Sequence, residues 1–260
     1  MLVSADGTTI AYEVTGDGPP VIIVDGAMCY RDQGPGRPLA AELAANFTVY
    51  TYDRRGRGES AAGEYSVDRE IEDVAALVKE AGGAAHLVGQ SSGAMLALEA
   101  ANQGVGATKL AMYEPPLIVD GTRAPAAVDA LPEMRALVAA DRRGDAVKTF
   151  MRSVGVPGVG LLMMQLLPVW KKLKGVAHTL PNDLELVEGL RLGRPLPTDR
   201  WTLSVPTLVA DGGKSPEYLR NSARAMASVL PNASYRTLAG QTHLVKPGAL
   251  ASVLREFFGS

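Results

Sequence analysis

A chain of 260 residues that is 47% hydrophobic and 21% charged can bury one sizeable core, and one domain with an insertion fits it better than two full domains. Its formal net charge of −2, with no basic stripe and no polybasic helix, argues against nucleic acid or an anionic membrane as a partner. The opening MLVSADGTTIAYEV lacks the regions of a signal peptide, the longest apolar stretch (VPGVGLLMMQLLPVW) is broken by Gly, Gln and Pro, and Cys29 is the single cysteine, so a cytoplasmic protein without a membrane span or internal disulfide is expected.

TTIAYEVTG alternates apolar and polar residues, with Ile10, Tyr12 and Val14 on one face, and predicts a half-exposed edge strand. Val21 to Val24 is a continuous β-branched run, the pattern of a strand buried on both faces. A short helix in LAAELAAN, the strand FTVYTYD, a helix near Val67–Ala81, the strand AHLV, a helix from Ser92 and the strand KLAMY follow. After a long interval come the strand PTLVAD, the helix PEYLRNSARAMASVL, the strand SYRTLA and the helix ALASVLREFF. This alternation predicts an α/β fold with a mostly parallel sheet covered on both faces. Between Pro115 and about Arg200 the rhythm stops. Ala, Leu, Met and Val recur there at helical spacing, punctuated by Pro and Gly. Residues 1–114 and 201–260 are therefore read as the core domain, and residues 115–200 as a helical lid over the C-terminal ends of the strands, where ligands bind in open α/β sheets.

Gly89-Gln90-Ser91-Ser92-Gly93 has the G-x-S-x-G form between a predicted strand and a predicted helix. That context turns a common pattern into a candidate nucleophile elbow. The glycines permit a sharp turn, Ser91 stands at its tip, and the free N–H groups of the following helix favour developing negative charge there. Ser92 then offers one backbone donor to an oxyanion. A second is expected from Gly26 or Ala27, in the loop after the buried strand VIIV.

Of three histidines, His86 lies within a strand and is read as structural, and His178 beside TLPND as a surface residue. His243, in a loop after the last strand, can reach back over the sheet edge to Ser91 and is the candidate general base. The acid has two candidates. The commonest position, past the glycine after the penultimate strand, holds Ser215, which cannot carry the charge that steadies an imidazolium. Asp211 lies nearby at that strand's end. Glu114 lies at the tip of the strand after the nucleophile helix, where Pro115 and Pro116 turn the chain away, and is preferred over Asp211.

Taken together these residues resemble the α/β-hydrolase superfamily over nearly the whole chain. The order nucleophile, acid, base and the segment YDRRGRGES, similar to the family's D-x-R-G-x-G-x-S, carry the resemblance, with Asp53 and Arg55 as structural members. It implies the α/β-hydrolase fold with a mostly parallel eight-stranded sheet. An acid after the nucleophile strand is similar to the haloalkane dehalogenases, but those use an aspartate nucleophile, and Ser91 argues against dehalogenation. A closer resemblance is to the zearalenone lactonases, through Asp25-Gly26 in place of His-Gly, Ser91-Ser92-Gly93, Glu114, and the lid segment Pro168–Trp170. By that resemblance Trp170 contacts the substrate; plain lid packing is the alternative.

The expected function is hydrolysis of a carboxylic ester, lactones included, on an apolar small molecule through an acyl-enzyme, with no metal or organic cofactor. Acyl transfer, C–C bond hydrolysis by the same triad, and non-catalytic binding of a small molecule are the rival readings. Leu161, Leu162, Met163, Met164 and Trp170 suggest a greasy lid or simple packing, and Cys29 a small buried filler.

Overall fold

The computed structural model describes residues 1–259. Two short strands, β1 (Leu2–Val3) and β2 (Thr9–Ile10), pair antiparallel with each other, apart from the main sheet. The main sheet is formed by β3 (Tyr12–Thr15), β4 (Pro20–Val24), β5 (Thr48–Tyr52), β6 (Ala85–Gln90), β7 (Ala107–Tyr113), β8 (Thr207–Gly212) and β9 (Ala233–Leu238), in the spatial order β3-β5-β4-β6-β7-β8-β9. All neighbours are parallel except β3, which runs antiparallel to β5 at the edge.

The sheet thus has seven strands, not the eight expected. The stretch read as one edge strand breaks at Ala11. The Ala11 N–H donates to Ser60 Oγ at 2.9 Å, and its carbonyl accepts from the Asp53 N–H at 2.9 Å. With its backbone taken by that loop, Ala11 cannot extend a ladder, and the residues on either side pair with different partners. Ile10 is buried while Val14 is exposed, so the predicted common face does not exist.

Helices α1 (Gly36–Leu43), α2 (Val67–Glu80) and α3 (Ser92–Asn102) follow β4, β5 and β6. The β-branched run of β4 is buried on both sides as its composition requires. Ile22 and Val24 pack in the cluster with α2 and α3, Val21 and Ile23 in the opposite cluster with α1. Burying each such side chain contributes roughly 1.5–3 kcal/mol. The alternation continues in β7, where Leu110 and Met112 face one side and Ala111 and Tyr113 the other. Between β7 and β8 the chain forms only helices: α4 (Ala130–Ala139), α5 (Arg143–Ser153), α6 (Gly158–Gln165), α7 (Val169–Val176) and α8 (Leu180–Glu185), with one 3-10 turn at Ala177–Thr179. Their apolar faces make a third cluster, and Met28, from the loop after β4, is part of it. Helices α9 (Glu217–Val229) and α10 (Pro247–Gly259) complete the chain. No helix among the described residues is long and apolar enough to cross a membrane.

Candidate active site

Strand β6 ends at Gln90 and α3 begins at Ser92, so the whole reversal falls on Ser91. Its φ of 56° and ψ of −127° are strained for a residue with a Cβ. The turn is held by the Ser91 N–H donating to the Tyr113 carbonyl at 2.9 Å. The flanking glycines are required by contact. A Cβ on Gly93 would stand 2.2 Å from the Val24 carbonyl oxygen, and one on Gly89 would stand 2.4 Å from that of Gly93. Gly26 closes the other side: a Cβ there would lie 3.0 Å from Ser91 Cβ. The nucleophile candidate and the loop after β4 are therefore in direct contact.

Glu114 follows β7 in a left-handed conformation, with φ of 48°, and is fully buried. Its Oε1 accepts from the Gly212 N–H at 2.7 Å, and its Oε2 lies 2.7 Å from His243 Nδ1. With Nδ1 so engaged, Nε2 is the free nitrogen of His243, whose side chain is 38% exposed. Asp211, the other acid considered, turns away. Its Oδ2 accepts from the Tyr235 hydroxyl on β9, and its Oδ1 is buried without a partner. Ser215 is buried, and its hydroxyl is likewise unpartnered. Ser91 and His243 form no hydrogen bond among the described residues; such contacts tighten when substrate is bound.

The candidate oxyanion donors come from the loop after β4 and from the N-terminus of α3. The N–H groups of Ala27 and Ser92 donate to no protein group among the described residues. The Gly26 carbonyl accepts from Arg57 Nη1 at 2.8 Å. A trans peptide sets its N–H opposite its carbonyl, so this bond also fixes the direction of the Ala27 N–H. Arg57 is held in turn by Asp183 of α8, at 2.7 Å. The other Asp183 oxygen accepts from Arg54 Nη1 and from the Ser92 hydroxyl, both at 2.8 Å. Arg54 also pairs with Glu70. Burial pushes the Asp183 carboxyl up, but Arg57 and Arg54 outweigh it and hold the group below the usual carboxylate range. Asp25 is the opposite case. Burial raises its carboxyl to about 7 against the pull of Arg57, and its Oδ1 has no partner.

Asp183, Arg54 and Arg57 went unrecognised in the sequence. The available signal was the arginine excess in YDRRGRGES: Arg55 pairs with Asp73, and the two further arginines, buried beside it, require buried acids. Asp53 accepts from the Arg31 and Glu59 N–H groups at 2.7 and 2.9 Å, a structural role as expected. His86 stacks on Phe258 with ring centroids 4.5 Å apart. His178 is not a plain surface residue: half-buried, its Nε2 lies 2.8 Å from the Gly56 carbonyl oxygen, which ties the helical insertion to the arginine loop. Burial pushes the Cys29 thiol up to about 12, which disfavours the thiolate. Trp170, on α7, packs partly buried on the insertion's own cluster near Gly144. Leu161 is buried, whereas Leu162 and Met163 are exposed.

The alpha/beta hydrolase family pattern matches residues 24–253. A solved alpha/beta hydrolase from Sphaerobacter thermophilus is 49% identical, with 99% of each chain covered and a TM-score of 0.90. A thermophilic esterase from Thermogutta terrifontis, solved with malate bound, shares the fold at 23% identity, with 99% of this chain and 96% of that one covered and a TM-score of 0.69. N-formylmaleamate deformylase from Pseudomonas putida is 37% identical over 91 residues, 33% of this chain, and the chain spans only 34% of that relative. The fold, the strained serine at the strand–helix turn and these likenesses agree: the chain belongs to the alpha/beta hydrolase family.

Proposed function

We propose that the chain is a serine hydrolase of carboxylic esters, lactones among them, acting through a Ser91–His243–Glu114 triad. The observation that carries this is the Glu114–His243 pair, 2.7 Å apart, at the sheet edge where Ser91 stands strained. His243 Nε2 takes the proton as Ser91 attacks the carbonyl carbon. Glu114 holds the imidazole by Nδ1 and steadies the imidazolium that forms. The tetrahedral oxyanion is met by the Ser92 N–H and by an N–H of the Gly26–Ala27 segment, for which Ala27 is the better donor because its peptide is fixed by Arg57. Collapse expels the alcohol, which takes the proton from His243. Water, activated by His243, then releases the acid.

The helical insertion serves as a lid, with Trp170 as a wall of the substrate space. The esterase and deformylase likenesses support hydrolysis of an acyl bond. The resemblance of Asp25-Gly26, Ser91-Ser92-Gly93 and Glu114 to zearalenone lactonases makes a lactone the first substrate to try. Zearalenone and a short aryl ester are incubated with wild type and Ser91→Ala. Product from either substrate, lost by several orders of magnitude in the variant, is expected. Turnover that survives Ser91→Ala sinks the reading. Cleavage of the aryl ester alone removes the macrolactone and the special place of Trp170.

A further inference from the structure

Within the helical insertion lies a cavity whose wall includes Arg123, Arg152 and Arg191. Its volume is ≈ 290 Å³. Three guanidiniums on one small cavity call for counter-charges, and only Glu133 among the lining residues is acidic. Arg123 is accounted for. It donates to the Ser153 carbonyl and lies over the Tyr218 ring, 4.2 Å from its centroid.

Arg191 is different. Its side chain is half-buried, its Nε is buried without a partner, and among the described residues its guanidinium makes no hydrogen bond or ion pair. A buried donor left unpaired is costly, so a guanidinium in this position normally has an acceptor beside it. Burial holds the Arg191 guanidinium below its ordinary value, Tyr218 beside it opposes this, and nearby Arg123 adds to it. The backbone keeps it in place: the Arg191 carbonyl accepts from the Ala126 N–H at 2.8 Å, and the Leu190 carbonyl from the Ile118 N–H. The remaining wall is mainly apolar, with Ile118, Met134 and Leu184, and also carries Thr149 and Ser153. Met134 and Leu184 also belong to the cluster that holds Met28, one residue after Ala27. The cavity therefore borders the packing behind the candidate oxyanion loop.

We infer that this cavity is an anion site that takes the carboxylate of a small, otherwise apolar ligand, bound at Arg191 with Arg123 and Arg152 beside it. A guanidinium offers a carboxylate two parallel N–H donors, and the apolar wall accepts the ligand's hydrocarbon part. The carboxylate has two sources: an acid group on the ester substrate itself, or a separate small carboxylic acid.

Succinate is the binding probe, with sodium chloride at matched ionic strength as control. Succinate should raise the unfolding temperature of the wild type and leave that of Arg191→Met unchanged. Without succinate, Arg191→Met should unfold at or above the wild-type temperature, because it removes an unpaired cation. Arg191→Gln serves as the second variant should methionine not fold. A kinetic arm, which rests on the ester-hydrolase reading, compares monoethyl glutarate with ethyl butyrate. If the carboxylate is the substrate's own, Arg191→Met lowers the ratio of their kcat/KM values about tenfold or more, the loss of one charged hydrogen-bonding partner. An unchanged ratio with the succinate response lost assigns the site to a separate acid. A succinate response that is absent from wild type, or equal in wild type and variants, overturns the proposal. Failure to cleave either ester counts against the ester reading, and the succinate result still decides the anion site.

Discussion

Glu114 gives one oxygen to the Gly212 N–H and the other to His243, so its two bonds demand an acceptor at both atoms. Glu114→Gln keeps the size and puts an amide N–H or a mispaired oxygen against His243 Nδ1. Turnover should fall by about 10⁴-fold with the unfolding midpoint little changed, while Asp211→Asn should stay within about tenfold of wild type. Progress curves on one ester separate the two variants, and the reverse order would move the acid to Asp211. Asp25 gives a prediction for stability. Its carboxyl is raised from 3.8 in the unfolded chain to about 7 in the folded one. The folded state therefore holds the proton longer, stability is fully present below the unfolded value, and it is lost as pH rises through about 7. Asp25→Asn removes that loss. Its urea midpoint should exceed the wild type above pH 7 by the equivalent of a few kcal/mol, at about 1.4 kcal/mol for each pH unit of displacement, and the gap should close toward pH 4. A gap independent of pH would mean that Asp25 does not titrate in this window.

Elements were legible in the sequence where their signal is local. The run Val21–Val24 reads as a doubly buried strand because each residue is β-branched, and β4 covers Pro20–Val24. The elbow was legible because G-x-S-x-G needs only the strand before it and the helix after it. What could not be read locally is set by partners distant in the chain. The break between β2 and β3 depends on Ser60, 49 positions beyond Ala11. Asp183 meets Arg54 and Arg57 across 129 and 126 positions, and nothing in LPNDLE marks its aspartate as the charge that balances them. The acid of the candidate triad lies between these cases. Glu114 at a strand tip was visible, but only the fold shows that it faces His243 while Asp211 faces Tyr235. Removing the Asp183 charge tests this linkage at the level of α8. Asp183→Ala leaves Arg57 with no carboxylate and Arg54 with Glu70 alone, and should cost about 3–5 kcal/mol in urea unfolding. Since the Asp183 carboxyl is held below its unfolded value, the deficit should be present at neutral pH and shrink as pH falls through the folded value. A deficit under about 1 kcal/mol at neutral pH would show that the arginines find other partners.

Across the whole molecule, the helical insertion and the sheet meet through two kinds of contact. Met28 joins the insertion's apolar cluster, and Asp183 enters the buried ion network under Ser92. The first is tolerant of exchange, since hydrophobic packing accepts many shapes. The second is not. Grafting a related hydrolase's helices onto this sheet would take more than matching the ends of the graft. Here a donor segment would also need a carboxylate where Asp183 stands, on the short helix α8. Lacking it, the recipient would enclose Arg54 with Glu70 alone and Arg57 with no carboxylate, and the clamp on the peptide before Ala27 would lose its anchor. Arg54, Arg57 and Asp183 are therefore one heritable unit, split over more than a hundred positions, and crossovers that separate them should be missing from any functional library.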